Sequence, residues 1–339
     1  MYTKRSLLKI FAIAVLLSLI FVGIFGKQNA RAAGKQTFTV MVGKSTDVGA
    51  DILAFAPQTL KVHRGDSVTW KFSPVHNVHF VAQPVDQIVP MTIDGKDALV
   101  LNPVIIIPNA QTGDSAKPGM NTGLLGDPSG PTDFTAVIDL APGTYTYLCD
   151  IHHGMIGQLV VVEDSADILT PADAQKQGQQ EFADTIAGVQ TAYVKAAEAQ
   201  QFQPKGDSID ISAGFTAGTA SIERLFPPVA IISAGQSVKW TVPAGLEPHS
   251  VTFNLPADGA IPPSLVPVTD SKNNTYLSPG PALIPSGKSD DEFTGQELSS
   301  GLLNPTQSFE LKFPKAGVYK YYCGIHPGHI GTIVVLPKS

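Results

Sequence analysis

YTYLCDIHHGMIGQLVVV, residues 145–162, places Cys149, His152 and Met155 in a Cys-x2-His-x2-Met spacing between two strand-like runs. The layout returns at residues 319–336, YKYYCGIHPGHIGTIVVL, with Cys323, His326 and His329 in the matching places. Each copy has a histidine far upstream. His76 in PVHNVHF precedes Cys149 by 73 residues, and His249 in EPHSVTF precedes Cys323 by 74. One thiolate, two imidazoles and a weak thioether suit copper in both of its oxidation states. Zinc accepts a similar set, but methionine in the fourth place favours copper.

The repetition extends outward from the two motifs. In the first half, strands are expected at Thr37–Val42, on both sides of an Arg64-Gly65-Asp66 turn ending near Trp70, at Val78–Val81, Phe134–Leu140, Thr144–Leu148 and Gln158–Val162. In the second half they are expected at Pro228–Ile232, Ser237–Val242 (with Trp240), Val251–Phe253, Ser308–Phe313 and Val318–Tyr322. A Pro/Gly-rich insertion follows each upstream histidine, at 82–133 and about 254–305. The segment NTGLLGDP in one resembles SSGLLNP in the other. Such repetition points to duplication of a whole domain. The expected architecture is all-β: 37–162 and 207–339 as tandem sandwiches, joined by a helical linker at 163–206. Thr170-Pro171-Ala172-Asp173 reads as a helix start. Phe182, Ile186, Val189 and Tyr193 then recur at helical spacing, as in a spacer helix docked on one sandwich.

The first 32 residues have the layout of an export signal. Lys4, Arg5 and Lys9 precede an apolar run, Ile10–Phe25, and Ala30-Arg31-Ala32 follows as a cleavage pattern. The run is short for a spanning helix, so cleavage after Ala32 is expected, with an uncleaved anchor as the alternative. Either outcome places the chain outside the cytoplasm, in a periplasm, at a cell surface or secreted. The formal charge is −6, and −11 without that segment. An acidic body argues against nucleic acid. The only two cysteines occupy equivalent motifs, so a disulfide would need the repeats to meet motif to motif.

Residues 37–162 and 207–336 resemble the cupredoxins, the blue-copper family that includes plastocyanin, azurin and amicyanin. PVHNVHF followed by Tyr-x-Tyr-x-Cys-x2-His-x2-Met carries the likeness in the first half. The resemblance implies Greek-key sandwiches of eight strands and one-electron transfer. It implies His76, Cys149, His152 and Met155 as ligands of one copper, and His249, Cys323 and His326 as ligands of a second. His329 stands where the family has methionine, and the second half contains no methionine at all. Either His329 is an axial ligand or it turns to solvent. As a ligand, imidazole favours copper(II), so the second centre should have the lower potential and pass electrons to the first. The resemblance also implies redox protein partners docking at the exposed edges of His152 (near Met155 and Ile156) and His326 (near Pro327 and Ile330).

Three histidines remain. His79 is expected to be packed or hydrogen-bonded, His63 solvated, and His153 on the surface beside His152. A multicopper oxidase or nitrite-reductase-like enzyme needs histidines flanking the blue-copper cysteine. Here the neighbours are Leu148 and Asp150, and Tyr322 and Gly324. Copper storage or delivery would gain from many more cysteines and methionines. An exported carrier of single electrons, rather than an enzyme, is the expectation.

Overall fold

Alternation builds both sandwiches. In β1 (Thr37–Ser45) Phe38, Val40 and Val42 are buried while Thr39 and Met41 lie on the other face. The same period sets Leu60 and Val62 in β3 (Thr59–His63), after β2 (Ala50–Ala56), and Val68, Trp70 and Phe72 in β4 (Ser67–Phe72). The computed structural model describes residues 34–46, 49–127, 130–198, 206–253, 261–326 and 328–338. The export-signal reading falls outside them. Among them no helix is long and apolar enough to cross a membrane.

The first half continues with the hairpin β5–β6 (Ile88–Ile93, Lys96–Leu101), the short helix α1 (Pro103–Ile106), β7 (Asp133–Val137), β8 (Gly143–Leu148) and β9 (Ile156–Val162). β2-β1-β4-β7 form one layer and β3-β9-β8 the other. The parallel β1–β4 and β3–β9 pairs within otherwise antiparallel layers give a Greek-key sandwich. Trp70 centres the core, edge-on to Phe80 and Tyr147.

After the long helix α2 (Pro171–Glu198) the order repeats: β10 (Ser208–Ala217), β11 (Ala220–Phe226), β12 (Val229–Ser233), β13 (Ser237–Thr241) and the two-residue β14 (Thr252–Phe253). A second hairpin, β15–β16 (Leu265–Thr269, Thr275–Pro279), and the short β17 (Asp291–Glu292) and β18 (Leu298–Ser299) follow. β19 (Ser308–Lys312), β20 (Gly317–Tyr322) and β21 (Ile330–Leu336) close the half. Trp240 repeats the part of Trp70, edge-on to Phe253 and Tyr321.

The halves share one sheet. β2 pairs antiparallel with β11, joining the front layers into nine strands, β17-β19-β13-β10-β11-β2-β1-β4-β7. Ala50 faces Ile222, Asp51 faces Ser221 and Ile52 faces Ala220. Within the halves, Ile52 and Ile222 hold corresponding registers against β1 and β10. The seam is thus self-complementary, like a two-fold dimer interface inside one chain. Thr37–Ser339 accordingly form a single compact unit.

α2 starts as expected: the Asp173 N–H donates to Thr170 Oγ1, which donates to Asp173 Oδ2 (3.2 and 2.7 Å). The docking differs from the expected contact with one sandwich. Phe182 and Val189 pack with Ala50, Ile52 and Ala56 of β2 and with Ala220, Ile222 and Phe226 of β11, so the helix covers the seam and touches both halves. Two further differences concern strands. Val78–Val81 is not a strand; His76 and His79 make isolated bridges instead. Each Pro/Gly-rich insertion contains a hairpin, and the two hairpins meet where Ser278 Oγ donates to the Leu99 carbonyl (2.9 Å).

Candidate metal centres

The upstream histidines are fixed first through the backbone. His76 exchanges two hydrogen bonds with Leu125 (2.9 and 2.8 Å), and His249 does the same with Leu303 (3.0 and 2.7 Å). These leucines belong to the two similar GLL segments, so that likeness reflects one structural task done twice. Each cysteine loop then closes on itself. Cys149 N–H donates to the Met155 carbonyl (3.0 Å) and Met155 N–H to His152 (3.2 Å). Cys323, His329 and His326 reproduce the pattern at 3.0 and 3.1 Å. The turn returns position 155 or 329 over the cysteine. Cross-links tie each loop to the segment of its upstream histidine: the Asp150 N–H donates to Asn77 Oδ1 (2.8 Å), and the Gly324 N–H to Ser250 Oγ (2.7 Å).

The result is convergence in both halves. Cys149 Sγ lies 3.7 Å from His76 Nδ1 and 3.5 Å from His152 Nδ1. Met155 is buried with Cys149 in the first core. In the second half Cys323 Sγ lies 3.9 Å from His249 Nδ1 and 3.5 Å from His326 Nδ1. The donor atoms of His249, Cys323, His326 and His329 are all within 4.8 Å of one another, as are those of His76, Cys149 and His152. His329 turns inward rather than to solvent. It is 1% exposed, and neither ring nitrogen has a hydrogen-bond partner. An imidazole buried with both nitrogens unpaired costs free energy unless something ligates it, which fits a metal.

Metal binding needs deprotonated donors, and the upstream imidazoles meet that condition. Burial lowers His76 to about 3 and His249 to about 4, so both rings are uncharged at neutral pH. The thiols differ. Burial pushes Cys149 up to about 12. Burial also opposes ionisation of Cys323, but the charge on His326 and the hydrogen bonds with His249 and His326 outweigh it and hold this thiol well below its usual range. Both cysteines are free.

Several supporting residues escaped the sequence reading. Gly43 and Gly214 occupy bulges in β1 and β10 with φ of +69° and +83°. Each leaves room for an upstream histidine: a Cβ on Gly43 would fall on His76 Nε2, and one on Gly214 on His249 Nε2. A glycine at the same step of both repeats was the available signal. Asp150 is fully buried and accepts from Asn77 Nδ2 (2.7 Å), with His79 Nδ1 at 2.9 Å from the same oxygen. His79 is therefore packed and hydrogen-bonded, as expected. His63 is not solvated as expected; its Nε2 lies 2.9 Å from the Ala166 carbonyl. His153 is exposed. His326 lacks the exposed edge expected of a docking point: it is 7% exposed, with Nε2 at 3.3 Å from Glu223 and 3.8 Å from Glu247. Pro327, named with it, lies outside the described residues.

Sandwich topology and clustered His/Cys donors define a cupredoxin-type protein, and here the unit occurs twice. Residues 42–162 match the family described as copper binding proteins, plastocyanin/azurin family. A plastocyanin of Synechococcus sp. (strain JA-2-3B'a(2-13)) is 28% identical over 151 residues, 43% of this chain and 89% of its own. Similar solved structures include amicyanin from Paracoccus versutus, at 17% identity over 40% of this chain and 86% of that one, with a TM-score of 0.22. Another is a purple cupredoxin from Nitrosopumilus maritimus, at 21% over 38% and 98%, also 0.22. The family match and the plastocyanin relative support blue-copper electron transfer as the type of function.

Proposed function

We propose that the chain carries single electrons between redox protein partners outside the cytoplasm, through one copper in each half. The observation that carries this reading is the convergence of a thiol and two imidazoles within 4.8 Å in both halves. His76, Cys149, His152 and Met155 would hold the first copper; His249, Cys323, His326 and His329 would hold the second. The metal supplies the one-electron couple. The chain supplies buried, prearranged donors that suit both oxidation states, which limits rearrangement between them. Gly43 and Gly214 give the upstream rings their space, and the loop hydrogen bonds fix the sulfur. Neither cysteine has a histidine beside it in sequence, which argues against an attached second copper centre of the oxidase or nitrite-reductase kind.

The centres should differ in potential. An imidazole in the fourth place, at His329, favours copper(II) where Met155 favours copper(I), so the second centre has the lower potential. His329→Met should raise the potential of the second centre and leave the first unchanged. Voltammetry of the wild type and this variant checks it. Equal wild-type potentials, or a higher one at the second centre, would contradict the assignment.

A further inference from the structure

The halves differ most where the second loop histidine meets the seam. In β11, Glu223 follows Ile222, and the strand registers set it in correspondence with Leu53 of β2. Glu247 stands two residues before His249, where the first half has Pro74 two residues before His76. Two apolar positions of the first half are thus carboxylates in the second, and both approach one atom. His326 Nε2 is 3.3 Å from Glu223 Oε1 and 3.8 Å from Glu247 Oε2. Glu223 is 12% exposed at its side chain, and Glu247, at 8%, leaves its Oε1 without a partner. Burying two carboxylates beside one imidazole is costly, so the arrangement has to be held by what surrounds it. A carboxylate on the outer nitrogen of a metal-bound histidine fixes the ring and raises its basicity. Here it also occupies the ring edge through which an outside partner would make contact.

The first centre is on the other side of that seam. Leu246, next to Glu247, packs against the first core, and a Cβ on Gly154 of the first ligand loop would meet Leu246 Cδ2 at 3.2 Å. His152 remains partly exposed.

We propose that the second centre is internal: Glu223 and Glu247 close the outer edge of His326, and outside partners exchange electrons with this centre through the first one. The inference rests on the electron-carrier reading above. In the oxidising direction, one electron leaves the reduced second centre, which is oxidised, and reaches the oxidised first centre, which is reduced. The first centre then returns to its oxidised state by giving that electron to a one-electron acceptor. No bond forms or breaks, and no proton is required.

The test uses the copper-loaded full chain, reduced and then mixed with the cationic oxidant tris(phenanthroline)cobalt(III). In the wild type the second centre should oxidise in a phase that stops depending on oxidant concentration once that concentration is high. Cys149→Ser, which removes the first centre, should slow oxidation of the second by roughly tenfold or more and make it first order in oxidant throughout. The second centre's own copper content and spectrum report that this variant is folded. Adding Glu223→Ala and Glu247→Ala should restore fast direct oxidation in the Cys149→Ser background. If Cys149→Ser leaves the second centre as fast and as oxidant-dependent as in the wild type, the internal route is wrong. If neither centre of the wild type cycles by one electron, the carrier reading itself fails.

Discussion

Gly43→Ala should weaken copper binding at the first centre while the second binds as before. The bulge between Val42 and Lys44 gives Gly43 a φ of +69°, where an alanine costs about 1–2 kcal/mol. The new methyl would fall on His76 Nε2 and lie 2.7 Å from the Ser73 carbonyl. The carbonyl is backbone, and Ser73 N–H is bonded to Val42 O at 2.8 Å, so the histidine has to yield. Overpacking of this kind adds about 1–3 kcal/mol, for a combined loss of roughly 2–5 kcal/mol. Since His76 is the donor that moves, copper affinity at the first centre should fall by roughly 10–100-fold, a range borrowed from substitutions that disturb ligand-supporting residues. Gly214→Ala should do the same to the second centre through His249. Copper titration followed by visible absorption separates the two. Full occupancy of the first centre in Gly43→Ala would show that the bulge does not position His76.

Phe182→Ala should weaken both halves at once. This ring, 5% exposed, fills a cluster made by α2, β2 and β11, and removing a buried phenylalanine costs about 3–5 kcal/mol. Were the helix a tether on one sandwich, only that half would respond. Because β2 and β11 share a continuous sheet, the signals of both metal centres should be lost in one transition at a lower temperature than in the wild type. Two separated transitions, with one unshifted, would contradict the shared seam.

The seam is also where sequence reading was weakest. Strands with one face in the core alternate cleanly, and β1, β4 and β9 were expected close to where they lie. β2, ADILAFA, and β11, ASIERLF, have the sandwich on one face and α2 or the partner half against the other. Their burial runs nearly unbroken and shows no period of two. The two strands that fuse the halves were for that reason not anticipated. The ligands fared better, because Cys, His and Met at fixed spacing are chemically distinctive and occur twice. What surrounds them was hidden for a different reason. Glu223 and Glu247 are 24 residues apart, and only the fold brings both to His326. Likewise His326 was expected at the surface by likeness to a single sandwich, and Glu223 and Glu247 of its own half cover its outer edge.

The central claim is that each half gathers its own imidazoles and sulfur around one redox-active copper. Copper content with visible and electron paramagnetic resonance spectra of the wild type, Cys149→Ser and Cys323→Ser tests it most directly. The account predicts about two coppers per wild-type chain, one for each clustered thiolate site. It predicts two distinct thiolate-to-copper signatures, each removed by one substitution and untouched by the other. Colourless copper-loaded protein, or a single substitution that leaves both signatures in place, would contradict it.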